Sequence, residues 1–390
     1  MANGVVAEPD LQFTKDLIAA GATDLKKCYQ CATCAVACRI APDNNPYPRK
    51  EMIWAQWGLK DRLLNDPDVW LCHQCNDCSV QCPRGANPGD VLKAIRKMNI
   101  QENSWPSFLG KLVGEPSMAV LTLGIPVVIV LLLAYFSGWQ FPEGTVRYPS
   151  FIYLPAVQVV FTAALVFAVV SIGLSLKNYW AALEAATPLG AGGSRKPFVP
   201  SLIEALKEIL PHSTFKECEA NNIRYAAHLM AFWGMIGLFV TTAIVAFNFD
   251  ILHLKPPSQN GPGTVPIKIL GNVSAIAFVL GLGIMLIRRM TAPDQTGNSA
   301  YFDWLFLFVI FGTGITGLLT ELVRWAGSAP GAYVLYAIHL MFVLALLLYL
   351  PFSKFAHLGY RTIAIAWSKS VGRDLKFPVE PNVARQASPE

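Results

Sequence analysis

Charged residues are scarce in this sequence: only 15% of the 390 residues are Asp, Glu, Lys or Arg, while 53% are hydrophobic. The mean hydropathy is +0.40. Soluble globular domains carry about 25% charged residues. The shortage of charge therefore argues against a purely soluble protein and predicts a membrane protein.

A concentrated basic patch is also missing. The formal net charge is only +5, and the Lys and Arg residues are spread along the flanks of apolar runs. Nucleic-acid binding usually needs a clustered basic surface. We therefore expect no nucleic-acid partner.

Residues 1–17 lack the basic start and apolar core of a secretory signal, so we expect the amino-terminal segment to stay in the cytoplasm. Cysteine is nearly absent after residue 83, because eight of the nine cysteines precede it. Disulfides rarely persist in a reducing compartment, whereas regularly spaced thiols there often bind metal. The early cysteines are thus metal-ligand candidates.

These cysteines form two runs with C-x2-C-x2-C-x3-C spacing, at residues 28–38 and 72–82. Such runs are typical of paired [4Fe–4S] clusters, in which the fourth cysteine of each run ligates the other cluster. Zinc is the weaker alternative, because zinc sites usually use separated C-x2-C hooks. The predicted ligand sets are Cys28, Cys31, Cys34 and Cys82 for cluster 1, and Cys72, Cys75, Cys78 and Cys38 for cluster 2.

Between the two runs, residues 49–70 have apolar positions at mainly helical intervals, with Pro67 as a stop. A helical cluster domain is therefore predicted instead of a compact βαβ ferredoxin. Residues 20–105 resemble the α-helical ferredoxins, especially the small iron–sulfur subunit of heterodisulfide reductase. The cysteine-rich repeat of a heterodisulfide active site is absent, and Cys218 is predicted to be a packed thiol.

Apolar runs long enough to cross a bilayer follow the cluster region. Six are predicted, at about 118–139, 151–176, 225–249, 270–289, 302–324 and 331–352. The intervening segment 202–210 has the spacing of a short amphipathic helix, which we expect to lie on the membrane surface as a connector.

The loop charges predict the orientation. With the amino terminus inside, the outer loops hold few cations, namely Arg147, Lys255, Lys268 and Arg324, and the other loop cations lie inside. This asymmetry follows the positive-inside rule. We predict a multi-pass protein of the cytoplasmic membrane, with the cluster domain and the carboxyl terminus in the cytoplasm.

Histidines in membrane spans are functional candidates. His73 lies inside the second cysteine run and is expected to shape or hydrogen-bond its cluster. His339 and His357 are 18 residues apart, so on a continuous helix they would share one face about 27 Å apart, which suits a haem near each membrane surface. Pro351 could kink that helix.

The stretch 339–357 resembles the last ligand-bearing helix of the cytochrome b subunit of respiratory nitrate reductase, and 224–239 resembles an earlier one. His228 matches a ligand of that helix, while Leu238 replaces a second. Depth in the membrane pairs His228 with His357 at the inner surface and leaves His339 for an outer haem.

Two alternatives for the ligands stay open. His253 is the available partner for His339, although it lies one or two turns too far along. A rival scheme pairs His212 with His357 and His228 with His339. The 16-residue spacing of His212 and His228 nearly matches the 18-residue spacing of His339 and His357 on antiparallel helices. The aromatic, Gly and Thr residues at 302–320 could accommodate a macrocycle or a quinone, or simply pack helices.

Nearly the whole chain resembles the cluster-bearing membrane subunits of the quinone-interacting membrane-bound oxidoreductases of sulfate-reducing prokaryotes. Those proteins are similar to a fusion of the iron–sulfur and cytochrome b subunits of heterodisulfide reductase. The predicted fold is therefore all-α: a ferredoxin-like cluster domain at 1–110, a six-helix transmembrane cytochrome b bundle at 111–375 and a polar tail at 376–390.

This resemblance also implies cofactors and partners. The cofactors are two [4Fe–4S] clusters and two haems b, with menaquinone as an exchangeable substrate. The partners are two cytoplasmic flavin and iron–sulfur subunits, with electrons directed towards adenylylsulfate reductase.

No flavin-binding glycine fingerprint is visible, so a redox partner is required. Two other functions remain as alternatives. The chain could serve another heterodisulfide-reductase-like or sulfite-reduction-associated complex, or it could be a non-catalytic redox sensor or membrane anchor. Whether the chain itself is an enzyme stays open, because its sequence contains no complete active site apart from a potential quinone site.

Overall fold

The computed structural model describes residues 8–42, 45–186, 195–213, 215, 222–248, 252 and 265–373. Its regular structure in these ranges is helical, and no strand occurs among them. The all-α prediction is therefore confirmed.

Short helices surround the two cysteine runs. They are α1 (Leu11–Ala19), α2 (Thr33–Val36), α3 (Arg49–Gln56), α4 (Lys60–Leu64), α5 (Asp68–Leu71), α6 (Asp77–Val80), α7 (Pro88–Asn103) and α8 (Ser107–Gly114). The prediction of helix over 49–70 with a stop at Pro67 agrees with the structure, but a further break after α3 separates it from α4. At Gly58 the backbone has φ +66, and a Cβ there would lie 2.5 Å from the Asp10 carbonyl oxygen. This close approach needs glycine.

Longer helices follow. They are α9 (Ala119–Phe136), α10 (Leu154–Ala186), α11 (Phe198–Ile209), α12 (Asn222–Ala246), α13 (Val265–Thr291), α15 (Tyr301–Trp325) and α16 (Ala329–Tyr349), with the short α14 (Pro293–Thr296) and the final α17 (His357–Ser370). Among the described residues, six of these helices are long and apolar enough to cross a bilayer, with mean hydropathy between 1.9 and 2.6. The protein is thus a multi-pass membrane protein, and α11 coincides with the predicted amphipathic helix.

Helix α10 continues ten residues beyond its predicted end at 176. Its extension contacts the cluster domain: Tyr179 and Leu183 are fully buried, and the Asn178 amide donates to the Asn103 carbonyl at 3.3 Å. Tertiary packing thus extends the helix past its apolar run, which hydropathy cannot detect.

His339 and His357 do not lie on one continuous helix, so the 18-residue spacing does not put them on one helix face. Helix α16 ends at Tyr349, a 3₁₀ turn covers Lys354–Ala356, and α17 begins at His357. Pro351 lies in the break. Since proline removes a backbone donor and clashes with the preceding turn, it favours termination here.

Helix α17 joins the two halves of the molecule. Tyr360 stacks on Trp70 of α5 at 5.2 Å between ring centroids and contacts Tyr179 of α10 at the same distance. All three belong to one hydrophobic core that runs from the cluster domain into α10 and α17. Burial of each large aromatic side chain contributes about 2 kcal/mol or more, so the cluster domain is firmly seated on the bundle.

Helices α12 and α13 approach closely through glycine. A Cβ at Gly234 would lie 2.6 Å from the Phe278 amide nitrogen, and one at Gly281 would lie 2.5 Å from the Ala227 carbonyl oxygen. Small residues at such contacts allow membrane helices to pack backbone to backbone.

We therefore expect Gly281→Val to separate α12 from α13 and to destabilise the detergent-solubilised protein by about 1–3 kcal/mol. Thermal unfolding followed by circular dichroism measures the effect. Gly283→Val is the matched control, because a Cβ at Gly283 meets no atom within 4 Å. Equal losses in both variants would contradict the close-packing interpretation.

Candidate functional site

The two cysteine runs share an unusual backbone conformation. Gln30 and Ala32 in the first run, and Gln74 and Asn76 in the second, occupy equivalent positions with φ between 57° and 72°. The Gln30 amide points at Cys28 Sγ (3.4 Å), and the Gln74 amide points at Cys72 Sγ (3.3 Å). Four non-glycine residues in the left-handed region are costly, so each loop holds its thiols in a fixed arrangement.

The thiols of the first three cysteines of run one lie with the last cysteine of run two. Cys28, Cys31, Cys34 and Cys82 all line one small pocket. Burial, followed by the neighbouring Cys28 and Cys82 thiols, raises the pKa of Cys34 to about 12. Four thiolates can coexist here only beside a strong positive charge, such as iron ions.

The complementary group surrounds Cys38. Burial and then the Cys72 thiol, with Cys75 as a further neighbour, raise the pKa of Cys38 to about 12. The pKa of Cys78 is raised in the same way by burial and by Cys72, Cys75 and Cys38. The eight described cysteines are free thiols. The fourth cysteine of each run thus lies beside the opposite run, and both donor sets fit four-thiolate iron–sulfur clusters.

Two predicted haem ligands face each other. The ring centroids of His228 on α12 and His357 at the start of α17 are 6.4 Å apart. Two imidazoles that bind one metal from opposite sides have centroids about 6 Å apart, given metal–nitrogen bonds of about 2 Å. The spacing fits a haem iron between them.

The outer nitrogens of both rings are already engaged. His357 Nδ1 donates to the Lys354 carbonyl (2.7 Å), and His228 Nδ1 lies 2.9 Å from His212 Nε2. Each ring therefore keeps Nε2 for a metal, which is the usual arrangement for a ligating histidine. Burial lowers the pKa of His357 to about 4, so its imidazole is neutral at physiological pH.

The remaining candidates are placed differently. His339 packs against Gly317, and its Nδ1 lies 3.1 Å from Thr316 Oγ1. His212 contacts His228 instead of facing His357 across a metal-sized gap. His253 and Cys218 lie outside the described residues.

A cavity of about 500 Å³ contains the His228–His357 pair. This is the size of a cofactor pocket. Its wall beside the histidines is largely apolar, as a porphyrin face requires: Ala231, Met235, Phe278, Leu282, Phe306 and Ile310. The lining also includes Cys72, His73 and Gln74 of the second cysteine run.

Two arginines connect the helices that carry these histidines to the second cysteine loop. Arg224 donates to the Gln74 and His73 carbonyls (both 2.7 Å), and Arg361 donates to the Cys72 carbonyl (3.1 Å) and to His73 Nε2 (2.7 Å). His73 therefore hydrogen-bonds an arginine beside its cluster loop. Sequence reasoning missed these bridges. The available signal was spacing, since each arginine lies four residues, about one helical turn, from His228 or His357.

A partly buried ion pair also lines the cavity. Lys354 contacts the Asp303 carboxylate, and Arg289 lies 3.7 Å from it. Burial lowers the pKa of Lys354 to about 8, although Asp303 opposes that shift. Asp303 was not predicted from the sequence, where it appears as an isolated acid at the start of an apolar run.

Comparisons with known proteins agree with this arrangement. A 4Fe-4S dicluster domain family matches residues 24–86, which contain both cysteine runs. The C component of the H(2):CoB-CoM heterodisulfide,ferredoxin reductase of Methanothermobacter marburgensis is 38% identical over 88 residues, covering 22% of this chain and 47% of that protein. A protein of Archaeoglobus profundus, named as similar to the C component of heterodisulfide reductase, is 40% identical over 83 residues, covering 21% and 44%.

A longer match is to the E component of the dihydromethanophenazine:CoB--CoM heterodisulfide reductase of Methanosarcina thermophila, with 24% identity over 211 residues, 50% of this chain and 74% of that protein. The chain is thus similar to both the C and the E components, as the predicted fusion requires. It spans about half the length or less of the C-component relatives.

No solved structure matches the chain. The family described as citrate utilization protein B matches residues 143–374, which cover five of the six candidate membrane helices. Because this match covers more than half of the sequence, the chain belongs to the citrate utilization protein B family.

Proposed function

We propose that the chain is the membrane electron-transfer subunit of a quinone-linked oxidoreductase, which connects menaquinol through haem b and two [4Fe–4S] clusters to soluble partner subunits. One observation carries the proposal: the His228–His357 pair and the second cysteine loop line the same cavity and are bridged by Arg224 and Arg361. A sensor or anchor would not need this juxtaposition.

In this proposal His228 and His357 hold a haem b, which supplies reversible one-electron chemistry at its iron. The chain's own residues would fix both ligands. The Lys354 carbonyl accepts the Nδ1 proton of His357. With His212 Nε2 as the acceptor for the Nδ1 proton of His228, both Nε2 atoms are left unprotonated. In this proposal His212 is a ligand-positioning residue, and its contact with His228 favours the pairing of His228 with His357 over the rival pairing. His339 remains the candidate ligand of a second haem.

The arginines keep the two redox sites at a fixed separation. Arg96, Arg224 and Arg361 place three cations around the carbonyls of residues 72–74. Positive charge and hydrogen bonds beside a cluster stabilise its reduced, more negative state.

The proposal also specifies the quinone and the final electron acceptor. The name of one relative couples dihydromethanophenazine to the CoB--CoM heterodisulfide, and menaquinol takes the place of dihydromethanophenazine here. With the amino terminus in the cytoplasm, two cytoplasmic flavin and iron–sulfur subunits would receive the electrons and pass them to adenylylsulfate reductase.

A second candidate is a heterodisulfide-reductase-like complex, which the names of the relatives favour. The partner protein would then carry the catalytic cysteines. Co-purification of the native complex followed by mass spectrometry separates these candidates, because the two kinds of partner differ in sequence.

The crossed cysteine sets give a first prediction. Wild-type protein should contain about eight irons per chain, as two cubanes require. Cys38→Ser should remove the electron paramagnetic resonance signal of the cluster held by residues 72–78 and spare the other, whereas Cys82→Ser should do the reverse. A zinc-loaded protein without such signals would reject the assignment.

The facing histidines give a second prediction. His228→Ala and His357→Ala should each abolish the same haem, whereas His339→Ala should retain it. Haem content and redox titration in detergent measure the losses. If the two variants lacked different haems, the pairing of His228 with His357 would be wrong.

His212 provides a sharper test of the same site. His212→Ala should keep the haem and raise its midpoint potential. The hydrogen bond to His212 makes the His228 imidazole a stronger electron donor, and this variant removes that bond. A bond of about 1 kcal/mol corresponds to about 40 mV for one electron. His212→Gln should partly restore the potential. Complete haem loss in both variants would instead identify His212 as a ligand.

The order of the redox sites gives a further prediction. Reduction of the clusters by a menaquinol analogue should slow about tenfold or more in His228→Ala protein, an effect of about 1.4 kcal/mol or more on the barrier. Stopped-flow absorbance at haem and cluster wavelengths follows both steps. An unchanged cluster rate in haem-deficient protein would exclude the haem from the path.

A further inference from the structure

The two cysteine groups differ in how they are covered. Cys72 and Cys78 are buried, and the loop that carries Cys72 receives arginines from the membrane half. Cys31 of the other group is exposed. One end of the proposed electron path is therefore closed by the bundle, while the other end opens to water.

Exposed apolar side chains flank the open group. Tyr29 is 69% exposed, Val36 86% and Val80 67%. Tyr29 follows the first cysteine of its run, and the two valines occupy equivalent positions before the last cysteine of each run. Exposed apolar side chains beside an exposed redox site, such as these three, indicate an interaction surface. We call Tyr29, Val36, Val80, Arg49 and Arg84 the outer face.

The outer face is positively charged. Arg84 lies over the Tyr29 ring, 4.1 Å from its centroid, and Arg49 donates to the Gln30 carbonyl at 3.2 Å. Both arginines are exposed and line the pocket of the first cysteine group. Nearby Lys27 is largely neutralised by Asp24 at 2.7 Å. Arg49 and Arg84 therefore place two positive charges in the lining of the first cysteine group.

We propose that the outer face docks a soluble one-electron redox protein whose own redox centre is surrounded by Asp and Glu side chains. The proposal rests on the electron-transfer function above. Each encounter moves one electron from the reduced chain to the oxidised centre of the partner, with no bond made or broken. A second copy of this chain fits poorly, because it would bring arginines against arginines.

The test uses the full chain, loaded with iron, in lipid nanodiscs and reduced by stoichiometric dithionite. Oxidised acidic flavodoxin is the probe, and basic cytochrome c is the opposite-charge probe. Stopped-flow absorbance measures the rate of flavodoxin reduction. We expect this rate to fall about tenfold or more with added salt, and likewise in the Arg49→Glu/Arg84→Glu double variant. The reason is that charge steering changes association rates by about 10–1000-fold. Reduction of cytochrome c by the same variant should accelerate.

Lys111→Glu is the matched control, because Lys111 is an exposed cation on α8, which packs against the membrane helices α9 and α15. It should leave both rates unchanged. If the double variant loses iron, Arg84→Gln gives the same comparison with a smaller expected effect. The docking site would be overturned if neither salt nor these variants changed the rate of flavodoxin reduction. It would also be overturned if the wild-type chain formed dimers and the double variant dissociated them without changing that rate.

The outcomes also separate the two proposals. Dithionite bypasses quinol and haem, so a failed quinol reaction leaves the docking test intact. Clusters that reduce normally but show no charge-dependent transfer refute only the docking site. Absence of any reducible cluster would refute the proposed function and the docking site together.

Discussion

The hydrogen bonds from Arg224 and Arg361 to the loop at residues 72–74 are the constraint on which the arrangement depends. Each arginine is one turn away from a histidine of the facing pair. Because the same helix positions both side chains, the loop and the histidines cannot move independently. Two partly buried cations in this region would be costly alone, and the carbonyl acceptors compensate for their desolvation.

The packing of α17 supports this constraint. Tyr360 and Trp367 are buried in the shared core, and Arg373 just beyond the helix pairs with Asp68 at 2.6 Å. Asp68 also pairs with Lys50 at 2.6 Å. The carboxyl-terminal helix is thus held by the cluster domain on one side and by the bundle on the other, so the division into two halves at residue 110 does not correspond to two separate cores.

Much of this architecture could be predicted from the sequence, because the signals are local. The cysteine spacing predicted the two loops, and apolar runs predicted the six membrane helices. Residues that act across the interface were harder. Arg224 has only its one-turn spacing from His228 as a local signal, and Asp303 has none. The extension of α10 depends on partners more than 70 residues away, such as Asn103. The break before His357 was visible only as Pro351, whose effect depends on the surrounding packing.

Helix α10 has 33 residues and is therefore about 50 Å long, whereas the hydrocarbon core of a bilayer is about 30 Å thick. Its surplus length is fixed inside the cluster domain, where Tyr179 and Leu183 are buried. The helix cannot tilt freely to match a thinner or thicker bilayer without carrying the cluster domain with it. Hydrophobic mismatch then acts on the lipid, which must stretch or compress around the bundle. A change in tilt would therefore carry the second cysteine loop and the His228–His357 pair together, at the separation that the arginine hydrogen bonds set.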